Sequence, residues 1–131
     1  MTGVASTDPS AIELVEKAEA VSSRAYAPYS NYFVGAVLRT IDGNEFAGVN
    51  VESAAYPLGI CAEKAALSAA AAAGYRPGDV HAIGISASPC GGCRQWLHEW
   101  GIAEVNFRRH DGSIGSWAAS DLLPDTWDLP E

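Results

Sequence analysis

Three cysteines and one glutamate carry the most specific chemistry in this sequence. Cys61, Cys90 and Cys93 are all the cysteines it contains, and Glu63 stands two residues after the first of them. Cys90 and Cys93 are three apart, so on a helix opening near Pro89 they share one face about a turn apart and can bind one metal ion. Cys61 adds a third sulfur. Zinc suits such a set: a structural zinc takes four protein ligands, whereas a catalytic zinc takes three and keeps one position open for the water it activates. A structural site would need His81, His98 or His110 as its fourth ligand. Glu63, in the first turn of a helix, can touch the metal's water without being a ligand. C-x-x-C spacing is also that of redox pairs, but a third cysteine and the absence of a thioredoxin-like context argue against that chemistry here.

The elements that must position these residues are readable from turn and cap signals. Asp8-Pro9-Ser10 starts a helix, with Asp8 as cap, Pro9 at the first helical position and Glu13 three after Ser10. Ile12, Val15 and Val21 give that helix an apolar stripe ending near Ala25. A tyrosine-rich loop, Arg24 to Tyr32, leads into an apolar run from Val34 to Leu38. Asp42-Gly43 turns the chain, and Phe46 to Val51 returns it, which predicts a β-hairpin ending at Asn50-Val51-Glu52. Ser53 to Ile60 is a loop, and an alanine-rich helix runs from Cys61 to Gly74. Val80 to Ser86 has the apolar character of a central strand and runs almost directly into the Cys90 helix, which ends near Trp100-Gly101. Ala103 to Phe107 and Ile114 to Ala118 predict two more strands, with a short last helix at Ser120 to Pro124. Both cysteine stretches then open helices, whose dipoles favour thiolates, and Lys64 and Arg94 are the nearby cations. Trp96 and Trp100, at i and i+4, predict a core or interface stripe.

Composition bounds the function. The chain has 131 residues, 48% hydrophobic and 18% charged, as expected of a single globular domain spanning residues 1–131. No apolar run reaches membrane-spanning length, and Met1 to Ser10 lacks a basic region followed by an apolar one, so a cytoplasmic protein is expected. Free thiols in odd number suit a reducing compartment. A net charge of −8 argues against a nucleic-acid backbone as partner, because such affinity comes mostly from Lys and Arg on phosphates. A small neutral substrate fits better.

The C-x-E … P-C-x-x-C pattern is the all-cysteine form of the zinc deaminase signature. With Arg24 to Ser30, Val34 to Ala36, Gly48 to Glu52, Tyr56 to Glu63, Ser88 to Gln95 and Leu122 to Pro124 in this order, the chain closely resembles the small single-domain cytidine deaminases. The resemblance implies a three-layer α/β/α sandwich around a mixed five-stranded sheet, one zinc on Cys61, Cys90 and Cys93, and Glu63 as proton shuttle. The activity it implies is hydrolytic deamination of cytidine and 2′-deoxycytidine in pyrimidine salvage. It gives Asn50 and Glu52 the ribose hydroxyls, Tyr32 the place of an aromatic ring packing on the nucleoside, Tyr56 a place in the substrate loop, and the backbone at Ala62 and Ser88 the base edge. It also implies a homotetramer in which Trp127 closes a neighbouring subunit's site. The sequence departs from the family pattern at Lys64, where an arginine is usual, and at Ser53, Tyr32, Trp127, Trp96 and Trp100. The link from Val80–Ser86 to Ser88 is also shorter. Two other readings are a deaminase of a modified or antibiotic aminonucleoside of the blasticidin type, against which Glu52 counts, and a non-catalytic zinc-stabilised binding protein, against which Glu63 counts.

Overall fold

The computed structural model describes residues 4–130. Five strands form a mixed sheet: β2 (Gly35–Thr40), β3 (Glu45–Val49), β4 (Val80–Ile85), β5 (Glu104–Arg108) and β6 (Ile114–Trp117). A two-residue strand, β1 (Val4–Ala5), extends its edge to give the order β1-β6-β5-β4-β2-β3. Only β4 and β5 run parallel, Ile83 opposite Val105. The helix α3 (Gly91–Glu99) makes the crossover between them, as a parallel pair requires. The expected hairpin is β2–β3, with Gly43 at φ 90° in its turn. Of the N-terminal stretch weighed above, Met1 to Gly3 lie outside the described residues.

Helix α1 (Pro9–Ser22) lies on one face of the sheet, where Leu14 and Ala18 pack with Val37 and Ala82. Helices α2 (Ala62–Ala72) and α3 cover the other, joining Leu67 and Leu97 to Leu38, Ile83, Ile85 and Val105. Three layers result, in agreement with the expected sandwich. The cap at Asp8 is as expected, its carboxylate accepting the Ser10 amide at 3.0 Å. Of the expected stripe on α1, Val15 is buried and Val21 packs against the core, while Ile12 is only half-buried and Ala11, Leu14 and Ala18 face inward with Val15. The helix backbone comes close to the sheet at Leu14, since a Cβ on Gly84 would stand 2.5 Å from the Leu14 carbonyl oxygen. On the opposite face, Gly48 does the same for α2. A Cβ there would meet the Ala62 carbonyl oxygen and the Ala66 amide, each at 2.4 Å. The first turn of α2, with Glu63 in it, thus rests directly on β3. Among the described residues no helix is long and apolar enough to cross a membrane.

Candidate metal centre and substrate cleft

Two helix N-termini meet at the thiols. Cys61 caps α2 with an extended backbone and makes no side-chain cap bond, which leaves its sulfur available. Cys90 caps α3, and its Sγ accepts the Cys93 amide at 3.5 Å. Cys93 is buried in the first turn of that helix. The Cys61 and Cys90 sulfurs are 4.0 Å apart, and all three lie within 4.8 Å of one another. Tetrahedral zinc with Zn–S bonds of about 2.3 Å spaces its sulfurs by roughly 3.8 Å, so the set can close on such an ion with small adjustments. A hydrogen bond from Cys93, with help from Cys90 and the Lys64 charge, pulls the Cys61 thiol down to about 6 against the cost of burial. The same bond, burial and the neighbouring negative charges push Cys93 up. Three sulfurs thus crowd around shared negative charge, the donor set a divalent cation relieves.

No histidine joins them. Among the described residues the group of converging ligand atoms contains the three cysteines alone. His81 pairs with Glu104 at 2.8 Å and His98 with Asp128 at 2.8 Å, so neither completes a four-ligand structural site.

Glu63 is 3% exposed and borders the same cleft, of about 180 Å³, as Cys61 and Cys90. Desolvation raises its carboxyl pKa, and the negative charge at Cys61 adds to the rise; its own amide, Cys93 and Lys64 oppose it. Tyr32, Val34, Asn50, Ala62, Ala87 and Ser88 complete the lining. Val34 opens one of the family motifs named above, whereas Ala87 carries no sequence signal beyond standing next to Ser88.

Loops around the cleft are knitted at Val51, which bridges both Tyr26 and Ile60. Asn50 and Glu52, on either side, do more than end a strand. Asn50 Oδ1 accepts the Val34 amide at 2.9 Å, and its Nδ2 donates to the Tyr32 carbonyl at 2.8 Å. Glu52 accepts the Tyr29 and Ser30 amides at 3.0 and 3.1 Å and the Ser30 hydroxyl. That hydroxyl, followed by the two amides, holds the Glu52 carboxyl below its ordinary value. Both side chains therefore brace the loop that carries Tyr32. Glu52 borders a separate cavity of about 380 Å³ with Tyr29 and Tyr56, whose rings meet edge-on at 6.0 Å. That cavity is the larger of the two, but it contains neither a thiol nor Glu63.

Arg94 is not directed at the sulfurs. Its guanidinium donates to the Pro89 carbonyl at 2.9 Å, the Leu122 carbonyl at 3.2 Å and the Ser88 hydroxyl at 3.1 Å. It therefore holds the short turn between β4 and Cys90. Trp127 does not line the cleft of its own chain: its carbonyl accepts from Gln95 at 3.1 Å and the residue is 62% exposed. Trp100 packs against the core and Trp96 does not, so the expected stripe divides.

Residues 9–109 match the family model described as the cytidine and deoxycytidylate deaminase zinc-binding region. The chain belongs to that family. A cytidine deaminase of Halalkalibacterium halodurans is 41% identical over 116 residues, covering 81% of this chain and 86% of that one. A cytidine deaminase of Mycobacterium tuberculosis is 37% identical over 111 residues, covering 82% and 81%. The crystal structure of a cytidine deaminase from Burkholderia pseudomallei superposes with a TM-score of 0.82 at 46% identity, covering 88% of this chain and 98% of that one. In this deaminase-family chain, zinc is the metal that the family's domain binds, and the three-thiol group is a donor set that fits it.

Proposed function

We propose that this chain catalyses the hydrolysis of cytidine and 2′-deoxycytidine to uridine and 2′-deoxyuridine with release of ammonia, using one zinc held by Cys61, Cys90 and Cys93. The observation that carries the reading is Glu63, an almost fully buried carboxyl bordering the same cleft as the thiols with its pKa raised by desolvation. When bound, zinc supplies the Lewis acidity that makes water a nucleophile at neutral pH. Glu63 takes the proton that water gives up and delivers it to ring N3, which draws electrons from C4 as the water oxygen bonds there. It then takes the remaining proton from the new C4 hydroxyl and passes it to the exocyclic amine, the C4–N bond breaks with loss of ammonia, and the carbonyl of uracil remains. A carboxyl with a raised pKa suits this work, because it must hold and release the proton at neutral pH.

The peptide groups at Ala62 and Ser88 read the base edge, and Tyr32 supplies an aromatic wall. Asn50 retains one amide hydrogen and one lone pair, and Glu52 retains carboxylate lone pairs, for sugar hydroxyls. Supporting an assembly of identical chains, Tyr56, Leu58 and Trp127 are 76%, 77% and 62% exposed, which is much apolar surface for a monomer to leave in water. We place this chain in a cytoplasmic homotetramer serving pyrimidine salvage, with Trp127 and Tyr56 closing sites across subunits. Sedimentation at four times the chain mass is expected; a monomer at assay concentration refutes that part alone.

Glu63→Gln tests the mechanism. Zinc content should remain near one per chain while kcat for cytidine falls by about 10³-fold or more, through loss of the proton carrier proposed here. Turnover within about tenfold of the parent would assign the proton transfers elsewhere.

A further inference from the structure

Lys64 follows Glu63 directly, yet its side chain leaves the cleft. Its Nζ lies over the ring of Trp96, 5.8 Å from the ring centroid. It is also 3.6 Å from the point where a Cβ on Gly92 would stand, a point 4.0 Å from Cys90 Sγ. The ammonium is therefore held beside the sulfur cluster, across the first turn of α3, in a space that Gly92 leaves open.

Three thiolates around one Zn²⁺ leave a formal charge of about −1, so a fixed cation nearby supports both metal retention and Lewis acidity. Arg94 is the other cation adjacent to a cysteine ligand, and it is committed to Pro89, Leu122 and Ser88. That leaves Lys64. A lysine is a poor device for the purpose alone, because its ammonium is a hydrated point charge on a flexible stem and lacks the rigid fork of arginine. An indole face supplies what is missing. It holds the charge without consuming any of the three N–H donors, which stay free to face sulfur or water.

We propose that Trp96 is a positioning residue that fixes the Lys64 ammonium as the counter-charge of the three-thiolate metal centre. The inference rests on the reading of Cys61, Cys90 and Cys93 as the zinc ligands. The two residues work as one unit, so the lysine at position 64 and the tryptophan at position 96 belong together as a substitute for a single arginine fork.

Zinc affinity measured by competition with a chromogenic chelator tests this without reference to substrate. Lys64→Met is expected to weaken zinc binding about tenfold. Trp96→Leu should weaken it about threefold, while Trp96→Tyr and Lys64→Arg, which keep a ring face and a cation, stay within about twofold of the parent. In the Lys64→Met background, Trp96→Leu should add less than about twofold, because the residue it serves is gone. Unchanged affinity in Trp96→Leu, or losses that multiply in the double variant, would overturn the proposal and leave Trp96 as simple packing. Far-UV circular dichroism of the zinc-free variants controls for folding. Trp96 is 37% exposed, so Trp96→Gln repeats the cycle should the leucine variant not fold. Cys90→Ser with full zinc affinity would refute the ligand reading instead, so the two failures are separable.

Discussion

Gly48→Ala tests whether β3 sets the position of Glu63. The added methyl would stand 2.4 Å from two backbone atoms of the first turn of α2, against 3.4 Å for ordinary contact, a shortfall of 1.0 Å. Neither atom belongs to a flexible side chain, so the helix end itself must move. Overpacking of this kind costs about 1–3 kcal/mol. For 131 residues the entropy of unfolding is about 0.28 kcal/mol/K, so the expected fall in Tm is about 4–11 °C. Displacing a catalytic group by about 1 Å costs on the order of 10²-fold in rate. The variant should thus lose kcat/KM for cytidine by about 10–100-fold with zinc still bound. Gly91→Ala is the control, since nothing lies within 4 Å of its Cβ, and it should match the parent. Differential scanning calorimetry and the loss of cytidine absorbance give both readouts. A Gly48→Ala protein with parental Tm and parental kcat/KM would refute the claim that this contact positions the helix.

Two further outcomes are expected. The Lys17 hydrogen bond, then Arg39, lowers the Glu45 carboxyl below its ordinary 4.5, so the stabilisation it gives is present above that pH and is lost as pH falls through the lower folded value. The Tm gap between the parent and Glu45→Gln should close between pH 5 and pH 3; a constant gap would show that its ion pairs to Lys17 of α1 and Arg39 of β2 contribute nothing. Arg94→Leu removes two hydrogen bonds to the Ser88–Cys90 turn and a third that ties it to Leu122, and should cost about 2–4 kcal/mol with a raised KM. Lysine should not rescue it, since one ammonium cannot span those acceptors; thermal unfolding and steady-state kinetics check both points.

The parts of the structure that were legible beforehand share a physical character. Asp8-Pro9 and Asp42-Gly43 are local signals whose meaning depends on backbone geometry within a few residues, and each marks the element expected. The thiol cluster was legible because every cysteine belongs to it, and Glu63 because it stands beside a ligand in a helix's first turn. What was illegible depends on partners distant in the chain. The family resemblance singles out Asn50 and Glu52 but says nothing of Tyr29, Ser30, Tyr32 and Val34, whose backbone they hold. The apolar stripe expected on α1 includes Ile12, whereas the face whose backbone lies against Gly84 centres on Leu14 and Val15, a contact that local periodicity does not encode. The direction of Arg94 likewise follows from three acceptors, one of them in Leu122, which spacing from Cys93 cannot reveal.

The double engagement of Asn50 and Glu52 bears on how substrate preference can change in such a chain. The side chains proposed to read the sugar are the ones that keep the Tyr29–Val34 loop in shape, so they arrive at binding already ordered and lose little freedom to a nucleoside. The same economy limits variation. A substitution that merely swaps one hydroxyl contact for another also releases the loop bearing the aromatic wall, and the base site loosens with the sugar site. Drift toward a different sugar is therefore easier through surrounding positions such as Ser53, which borders the Glu52 cavity without carrying the loop, than through the two residues proposed to read the sugar.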